Sequence, residues 1–279
     1  RKQWLQQELE KYGNISIISF PYNEDELPNT SESSRAVSEK WAMALKPIVA
    51  DAEIVFTSES YGDYLAEYMG ITHIYFDKAR TLFPVAGSQI TRDPFTYWDF
   101  IAGAAKPFFV KKIAVLGSES TGKSTMAEKL AAHFDTVFVP EMARSIIEKT
   151  NECTFKHLEE IALLHAKKIG SMTGSANKLL FLDTDINITK SYSAFLFRQQ
   201  LIADTWIEEV NKSDLYLFLE PDCPFIQDGT RLNEDERNKL SLFHKEQLSN
   251  NNIDFTSVSG SWNDRYDSAV DIIKKKYFA

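Results

Sequence analysis

A glycine-rich segment near the middle of the chain constrains the fold more than any other feature. It runs from Gly117 to Ser124, reads GSESTGKS, and fits the phosphate-loop pattern G-x-x-x-x-G-K-[ST]. An apolar segment at 111–116 precedes it and predicts a buried strand, and the segment at 124–134 that follows predicts a helix. An ordinary glycine-rich turn is the competing interpretation, but it does not account for both flanking elements. This order of elements predicts a phosphate-binding loop in a parallel α/β domain.

The residue types in this loop are those that bind a nucleotide and a metal ion. Gly117 and Gly122 allow positive φ, so that successive backbone N–H groups face an anion. Lys123 adds a positive charge for the β- and γ-phosphate oxygens, and Ser124 offers a hydroxyl to Mg²⁺. We therefore expect ATP and Mg²⁺ here, bound by Gly117, Ser118, Glu119, Ser120, Thr121, Gly122, Lys123, Ser124 and Thr125.

Composition and charge restrict the class of protein. The 279 residues include 40 acidic and 31 basic side chains, and the net charge of −9 argues against nucleic acid as the main partner. The two cysteines, Cys153 and Cys223, lie far apart, so we expect neither a disulfide framework nor a zinc site, and a reducing cytoplasm fits. No apolar run reaches the roughly 18 residues of a membrane span, and no signal peptide is visible. The chain begins with Arg1 rather than methionine, and we interpret it as a piece of a longer product.

The first 106 residues alternate between strand and helix patterns, and this order predicts a parallel sheet. We expect them to form a first domain, followed by a second domain at residues 107–279. The expected elements are strands at 14–20, 52–57 and 72–76, helices at 33–50 and 61–69, an irregular segment at 85–94, a short aromatic helix at 95–101 and a linker at 103–107.

The alternation restarts in the second domain with the strand before the phosphate loop. The expected elements after the loop helix are strands at 136–139, 178–182, 214–219 and 253–258, and helices at 142–149, 155–169, 201–210, 234–248 and 263–277. The predicted fold class is therefore α/β with two parallel-sheet domains.

Two carboxylates, Asp183 and Asp185, follow the most apolar strand of the second domain at its carboxyl end, where parallel sheets collect ligands. One can hold Mg²⁺ through water, and the other can contact the hydroxyl groups of an acceptor. We place Asp183 nearer the metal. For Asp185, N-capping of a helix that begins at Ile186 is an alternative.

Glu141 and Arg144 follow the second strand of that domain and lie three residues apart, on one helical face. A carboxylate there can orient or deprotonate an attacking hydroxyl, and a guanidinium can neutralise the transferring group. We expect Glu141, Asp183 and Asp185 to converge near the phosphate loop, because all three follow strands that should neighbour the first. Glu141 is the first candidate for the base and Asp185 the second. An ordinary surface ion pair between Glu141 and Arg144 is the alternative.

Two further arginines are candidates for ATP contacts. Arg231 ends the sequence Asp228-Gly-Thr-Arg231 in a polar segment that we interpret as a lid over the phosphates, with a solvated loop as the alternative. Arg265 follows the last strand, and we expect it either to stack on adenine or to face water.

Two other patterns carry no functional assignment. Asn211 to Asp214 matches the guanine-reading pattern N-K-x-D, but that motif follows a strand and this segment precedes one, so we interpret it as a helix end and turn. The five histidines show no metal-binding spacing and no H-x-G-H motif.

Six segments of the chain, taken together, resemble the NadR family, in which a nicotinamide-mononucleotide adenylyltransferase domain precedes a ribosylnicotinamide kinase domain. The resemblance implies a partial Rossmann-like nucleotidyltransferase domain, a P-loop nucleoside kinase domain, and phosphorylation of the 5′-hydroxyl of ribosylnicotinamide with ATP and Mg²⁺. The segments that carry it span nearly the whole chain and are 56–62, 84–98, 117–124, 140–144, 181–185 and 228–231.

The chain departs from the family pattern in its first domain. It contains no H-x-G-H, and Thr91 stands where the family has an arginine, with Arg92 one position later. We therefore expect a first domain that does not transfer adenylate and that binds NAD as a regulator or is structural. The alternatives left open are a regulator that binds NAD or ATP without turnover, an ATPase acting on a protein partner, and a bifunctional enzyme that retains adenylyl transfer. The oligomeric state is also open, with a homo-oligomer among the options.

Overall fold

The computed structural model describes residues 1–30, 34–147, 153–225 and 233–278. The chain divides into two compact units, Arg1–Ala102 and Gly103–Ala279. The division falls just before the segment that we expected to be a linker. That segment consists of a 3-10 turn (Gly103–Ala105) and the start of an α-helix at Lys106, and it belongs to the second unit.

The first unit contains a parallel pair of strands joined by a helical crossover. The pair aligns Ile54 with Thr72, and the crossover helix packs against the preceding helix through Ala42, Leu65 and Met69. A crossover is required because parallel strands cannot be joined by a tight turn. The described elements are α1 (Lys2–Leu9), α2 (Arg35–Leu45), β1 (Ile54–Thr57), α3 (Tyr61–Met69), β2 (Thr72–Tyr75), α4 (Gly87–Arg92) and a 3-10 turn (Trp98–Phe100).

Several predictions for the first unit were wrong. The segment 14–20 is not a strand, because no strand in the described part of the chain pairs with it. Its Ile15 and Ile18 are exposed. The expected aromatic helix is only the 3-10 turn, whose Trp98 is buried, so burial rather than helix formation explains the aromatic pattern there. The segment expected to be irregular contains α4, and α1 was not anticipated.

The second unit is built on a sheet of five parallel strands in the order β4-β5-β3-β6-β7, with helices supplying the crossovers. The strand before the phosphate loop lies at the centre. The described elements are α5 (Lys106–Phe109), β3 (Lys111–Leu116), α6 (Lys123–His133), β4 (Val137–Val139), α7 (Ala143–Ile146), α8 (Phe155–Thr173), β5 (Leu179–Asp183), α9 (Ile186–Phe197), α10 (Thr205–Asn211), β6 (Leu215–Leu219), α11 (Glu234–Asn250), β7 (Thr256–Val258) and α12 (Trp262–Tyr277).

The continuous apolar runs of β3 and β5 reflect their central position, since a strand covered by helices on both faces buries both sets of side chains. Every residue of β5 is buried, as are the last four of β3. The predicted bounds of these strands agree with the structure to within one residue. α10 begins four residues later than expected and β7 is half as long as expected, so element ends were predicted less well than their existence.

Candidate nucleotide-binding site

The phosphate loop connects β3 to α6 and needs glycine at both of its ends. Gly117 has φ +145° and Gly122 has φ +88°, conformations that residues with a Cβ rarely adopt. A Cβ on Gly117 would lie 2.8 Å from the carbonyl oxygen of Leu219, and one on Gly122 would lie 2.9 Å from Cζ3 of Trp262. Because the ends of β6 and α12 pack this closely against the loop, no side chain fits at either glycine.

Inside the loop, two donors converge on the carbonyl of Ser118. Thr121 Oγ1 and Lys123 Nζ each donate to it over 2.9 Å. Lys123 is the first residue of α6, so its side chain and the helix N-terminus both carry positive charge to the same place. Ser124 follows it, half-buried, whereas Thr125 is exposed. If a phosphate binds, Lys123 Nζ can leave the neutral carbonyl of Ser118 and donate to a charged phosphate oxygen. The hydrogen bond to the charged acceptor is the stronger of the two.

Asp183 lies beside the loop, because β5 is hydrogen-bonded to β3 and Asp183 is paired with Val115. Its side chain is 1% exposed, and its Oδ1 has no hydrogen-bond partner among the described residues. A buried carboxylate oxygen without a donor is costly unless a cation or water satisfies it. Asp183 and Ser124 are therefore the protein groups best suited to hold Mg²⁺, together with phosphate oxygens and water. The described residues form no cluster of three or more histidine, cysteine or acidic side chains that would hold a metal alone.

Asp185 is the N-cap of α9. Its Oδ1 accepts hydrogen bonds from the backbone N–H groups of Asn187 and Ile188, and its Oδ2 accepts one from the side chain of Asn187. Burial raises the pKa of this carboxyl to about 6, although these hydrogen bonds act in the opposite direction. The N-capping interpretation is thus confirmed. Both oxygens of the carboxylate that we considered for contact with an acceptor are engaged in hydrogen bonds at the start of α9.

Glu141 follows β4, which lies at the edge of the sheet and is separated from β3 by β5. The expectation that its strand neighbours β3 was therefore wrong. Its charge acts on Tyr192 of α9, as does the charge of Glu119 in the loop. The Tyr192 hydroxyl is 3.5 Å from Oε1 of Glu119, and burial together with the charges of Glu119 and Glu141 raises the pKa of Tyr192.

His244 of α11 is a neighbour of this site that the sequence pattern did not indicate. Its ring is fully buried and packs against Tyr192, with the ring centres 5.0 Å apart. Its Nδ1 shares a hydrogen bond of 2.7 Å with Ser191 Oγ, whereas its Nε2 has no partner among the described residues. Burial and the positive charge of Lys123 lower the pKa of His244 to about 3, so the ring is neutral at physiological pH. A lone histidine in a charged helix gives no sequence signal for this position.

Arg265 is in neither of the two positions that we expected. It is 1% exposed, so it does not face water, and its guanidinium lies beneath the phosphate loop rather than open to an adenine ring. It donates to the carbonyls of Thr121, Gly260 and Glu220 over 3.1, 2.9 and 2.8 Å, and it forms an ion pair with Asp222. Buried arginines require such partners, and here the strand-end loops supply them.

The remaining predicted residues fall partly outside the described structure. The whole segment 226–232, including Asp228 and Arg231, lies outside the described residues. Arg144 belongs to α7, but its side chain is likewise outside what the structure describes.

Asn211 is buried at the end of α10, where its Oδ1 accepts a hydrogen bond from the N–H of Ile186, so the N-K-x-D match is a helix end as predicted. Among the described residues, no helix is long and apolar enough to cross a bilayer.

Comparisons with known proteins agree with this geometry. Residues 112–265 match the family described as AAA domain, and this match covers the phosphate loop and the strands around it. The chain is 32% identical to the trifunctional NAD biosynthesis/regulator protein NadR of Salmonella typhimurium and 31% identical to that of Escherichia coli, over 99% of its own length and 69% of theirs. Its fold superposes on the crystal structure of a NadR protein in complex with NAD and AMP-PNP with a TM-score of 0.76, at 21% identity, over all of this chain and 82% of that one. A NadR structure in complex with NR gives the same values.

Proposed function

Since this chain belongs to the NadR family, we propose that its second unit is a kinase that transfers the γ-phosphate of ATP to the 5′-hydroxyl of ribosylnicotinamide and yields nicotinamide mononucleotide. The observation that carries the proposal is the pairing of the phosphate loop with the unsatisfied Oδ1 of Asp183 on the adjacent strand. This pairing supports a nucleotide bound with a divalent cation. The acceptor is proposed from the family relationship, and the relatives' part in NAD biosynthesis supports it.

In the proposed reaction each group of the site has one task. The loop N–H groups and Lys123 bind the phosphates and offset the charge that develops on the transferring group. Ser124 and Asp183 would hold Mg²⁺, which would offset negative charge on the phosphates. Glu141 accepts the proton of the attacking hydroxyl or orients it. The hydroxyl of Tyr192 contacts Glu119 of the loop.

For the first unit we propose a structural or NAD-binding role without adenylyl transfer by the 279 residues of this chain. These residues contain no H-x-G-H, and Thr91 at the position of the family arginine donates its hydroxyl to the carbonyl of Gly87 within α4. Arg92 is exposed on the same short helix. Neither residue offers the fixed positive charge that adenylyl transfer requires at the phosphates. For the protein as a whole we propose a cytoplasmic location.

One assay separates this proposal from its alternatives. ADP formation is measured with ATP and Mg²⁺, with and without a panel of nucleosides that includes ribosylnicotinamide, uridine and adenosine. The kinase proposal expects ADP release that depends on ribosylnicotinamide. ADP release without any nucleoside would favour an ATPase that acts on a protein partner, and nucleotide binding without ADP release would favour a regulator. The Ser124→Ala variant should need a higher Mg²⁺ concentration for half-maximal rate, because it removes one oxygen ligand of the metal.

A further inference from the structure

We propose that Arg265 is a positioning residue that holds the phosphate loop in its anion-binding conformation. The proposal rests on the use of ATP proposed above, but not on the identity of the acceptor. Arg265 lies in the first turn of α12, whose N-cap Ser261 and its capping partner Asp264 fix the direction of the helix. The guanidinium is thereby aimed at the loop from below.

The hydrogen bond from Arg265 Nη1 to the carbonyl of Thr121 sets the orientation of one peptide unit of the loop. The peptide bond between Thr121 and Gly122 is planar and trans, so its N–H and its C=O point in opposite directions. Because the guanidinium holds the carbonyl on the side of α12, the N–H of Gly122 is directed to the opposite side. In a loop of this sequence that is the side where the phosphate binds.

The same guanidinium also joins the loop to the ends of two neighbouring strands. It donates to the carbonyl of Glu220, which follows β6, and to that of Gly260, which follows β7. Asp222 pairs with Arg265 and also accepts a hydrogen bond from the backbone N–H of Gly260 over 2.7 Å. Asp222 therefore links the guanidinium to the loop after β7 a second time. Trp262, against which Gly122 packs, belongs to the same helix turn as Arg265. The loop after β3 is thus held against the loops after β6 and β7 by one planar group.

A planar guanidinium can span three carbonyls, whereas the ammonium of lysine is a single point charge on a flexible chain. Arg265→Lys should therefore keep the positive charge and release the Thr121 carbonyl. We expect it to weaken the binding of ATP by about tenfold or more, the effect of losing one or two charge-assisted hydrogen bonds. Inorganic tripolyphosphate can contact the loop but has no base. Its affinity should fall by the same factor.

The experiment compares the affinities of ATP and tripolyphosphate, with Mg²⁺, for the parent chain, Arg265→Lys and Ile273→Val by titration calorimetry. Ile273 is fully buried in the same helix, and its variant is the control for a general loss of packing. The proposal expects both ligands to weaken in parallel in Arg265→Lys and to stay within twofold of the parent in Ile273→Val. A variant that weakens ATP but leaves tripolyphosphate unchanged would assign Arg265 to the adenine base and overturn the proposal. Unchanged affinity for both ligands would overturn it as well.

If Arg265→Lys does not fold, Asp222→Asn decides the question. This variant leaves the guanidinium in place but removes the ion pair that holds it. We expect about threefold weaker binding of both ligands, and unchanged binding of both would contradict the proposal. A parent chain that binds neither ligand would instead contradict the proposed function, so the two failures are distinguishable.

Discussion

The hydrogen bond of 2.7 Å between His244 Nδ1 and Ser191 Oγ joins α11 to α9 beside the phosphate loop. Two neighbours define the surroundings of the ring. Tyr192 packs against it and reaches toward Glu119 of the loop, and Lys123 repels the protonated form of the imidazole. Burial and the charge of Lys123 therefore keep this histidine neutral.

This arrangement makes the stability of the second unit depend on pH. The folded pKa of His244 is about 3, below the unfolded value of about 6.5, so the unfolded chain binds a proton that the folded chain refuses. The contribution of this neutral histidine to the free energy of unfolding is present above about pH 6.5 and is lost as the pH falls toward 3. His244→Asn keeps a polar partner for Ser191 and removes the titration, so its unfolding free energy should fall between pH 7 and pH 4 by about 3 kcal/mol less than that of the parent.

Chemical unfolding of both chains at pH 7 and pH 4, followed by circular dichroism, checks this expectation. Asp185, with a folded pKa of about 6, acts in the opposite direction, because the folded chain binds its proton more readily. It is present in both chains and cancels in the comparison. His133→Asn, at an exposed position of α6, is the control for replacing a histidine by asparagine. An equal loss in the parent and in His244→Asn would show that His244 does not titrate as described.

Lys123→Ala should lower the rate of ADP formation by at least about 10²-fold, or roughly 2.7 kcal/mol. The substitution removes the positive charge that stabilises the transferring phosphate. Steady-state kinetics with ribosylnicotinamide measures this effect. Lys167→Ala, at an exposed position of α8, is the matched control and should stay near the parent rate. A folded Lys123→Ala chain with unchanged turnover would rule out the kinase proposal.

Glu141→Gln should reduce kcat by about 10²- to 10³-fold with little change in KM, since the amide keeps the shape of the side chain but cannot accept the proton. Glu119→Gln is the comparison, because both carboxylates act on Tyr192. A larger loss in Glu119→Gln would move the role of base to that residue. A structure with an ATP analogue that places Glu141 more than about 10 Å from the γ-phosphate would also exclude it, given the short reach of proton transfer.

Gly62→Ala should destabilise the first unit by about 1 to 3 kcal/mol through overpacking. An added Cβ would lie 2.3 Å from Nε2 of His73 and 2.4 Å from Oγ1 of Thr57, two atoms that share a hydrogen bond of 2.9 Å. Thermal unfolding measures the effect. Gly87→Ala is the control, because its added Cβ meets nothing within 4 Å and it lies at the start of α4. Equal melting temperatures of Gly62→Ala and Gly87→Ala would contradict the packing argument.

The chain should not make NAD from nicotinamide mononucleotide and ATP. Its 279 residues lack H-x-G-H, and one charge-stabilising donor alone contributes about 10²- to 10³-fold to a rate of this kind. The preparation must first show kinase activity, so that an absence of NAD does not reflect unfolded protein. Steady production of NAD would prove the expectation wrong, whereas NAD binding without production would support a regulatory site in the first unit.

The sequence by itself determined the phosphate loop and the elements on either side of it. Gly117, Gly122, Lys123 and Ser124 carry their chemistry in eight contiguous residues, and the apolar run of β3 follows from burial on both faces of the sheet. The N-cap role of Asp185 was similarly available, as one of two interpretations, because capping is a contact with residues two and three positions along the chain.

Only the tertiary structure decided which distant residues meet at this loop. Pairing in the sheet put β4 at the edge, with β5 between it and β3, and thus separated the strand that precedes Glu141 from the strand that precedes the phosphate loop. The packing of α12 buried Arg265 under Thr121, and the packing of α11 on α9 brought His244 to Ser191. The segment 14–20 has the apolar content of a strand, but no strand among the described residues pairs with it. Contacts between residues that are remote in the chain depend on strand order and helix packing, and no local pattern of residues specifies either.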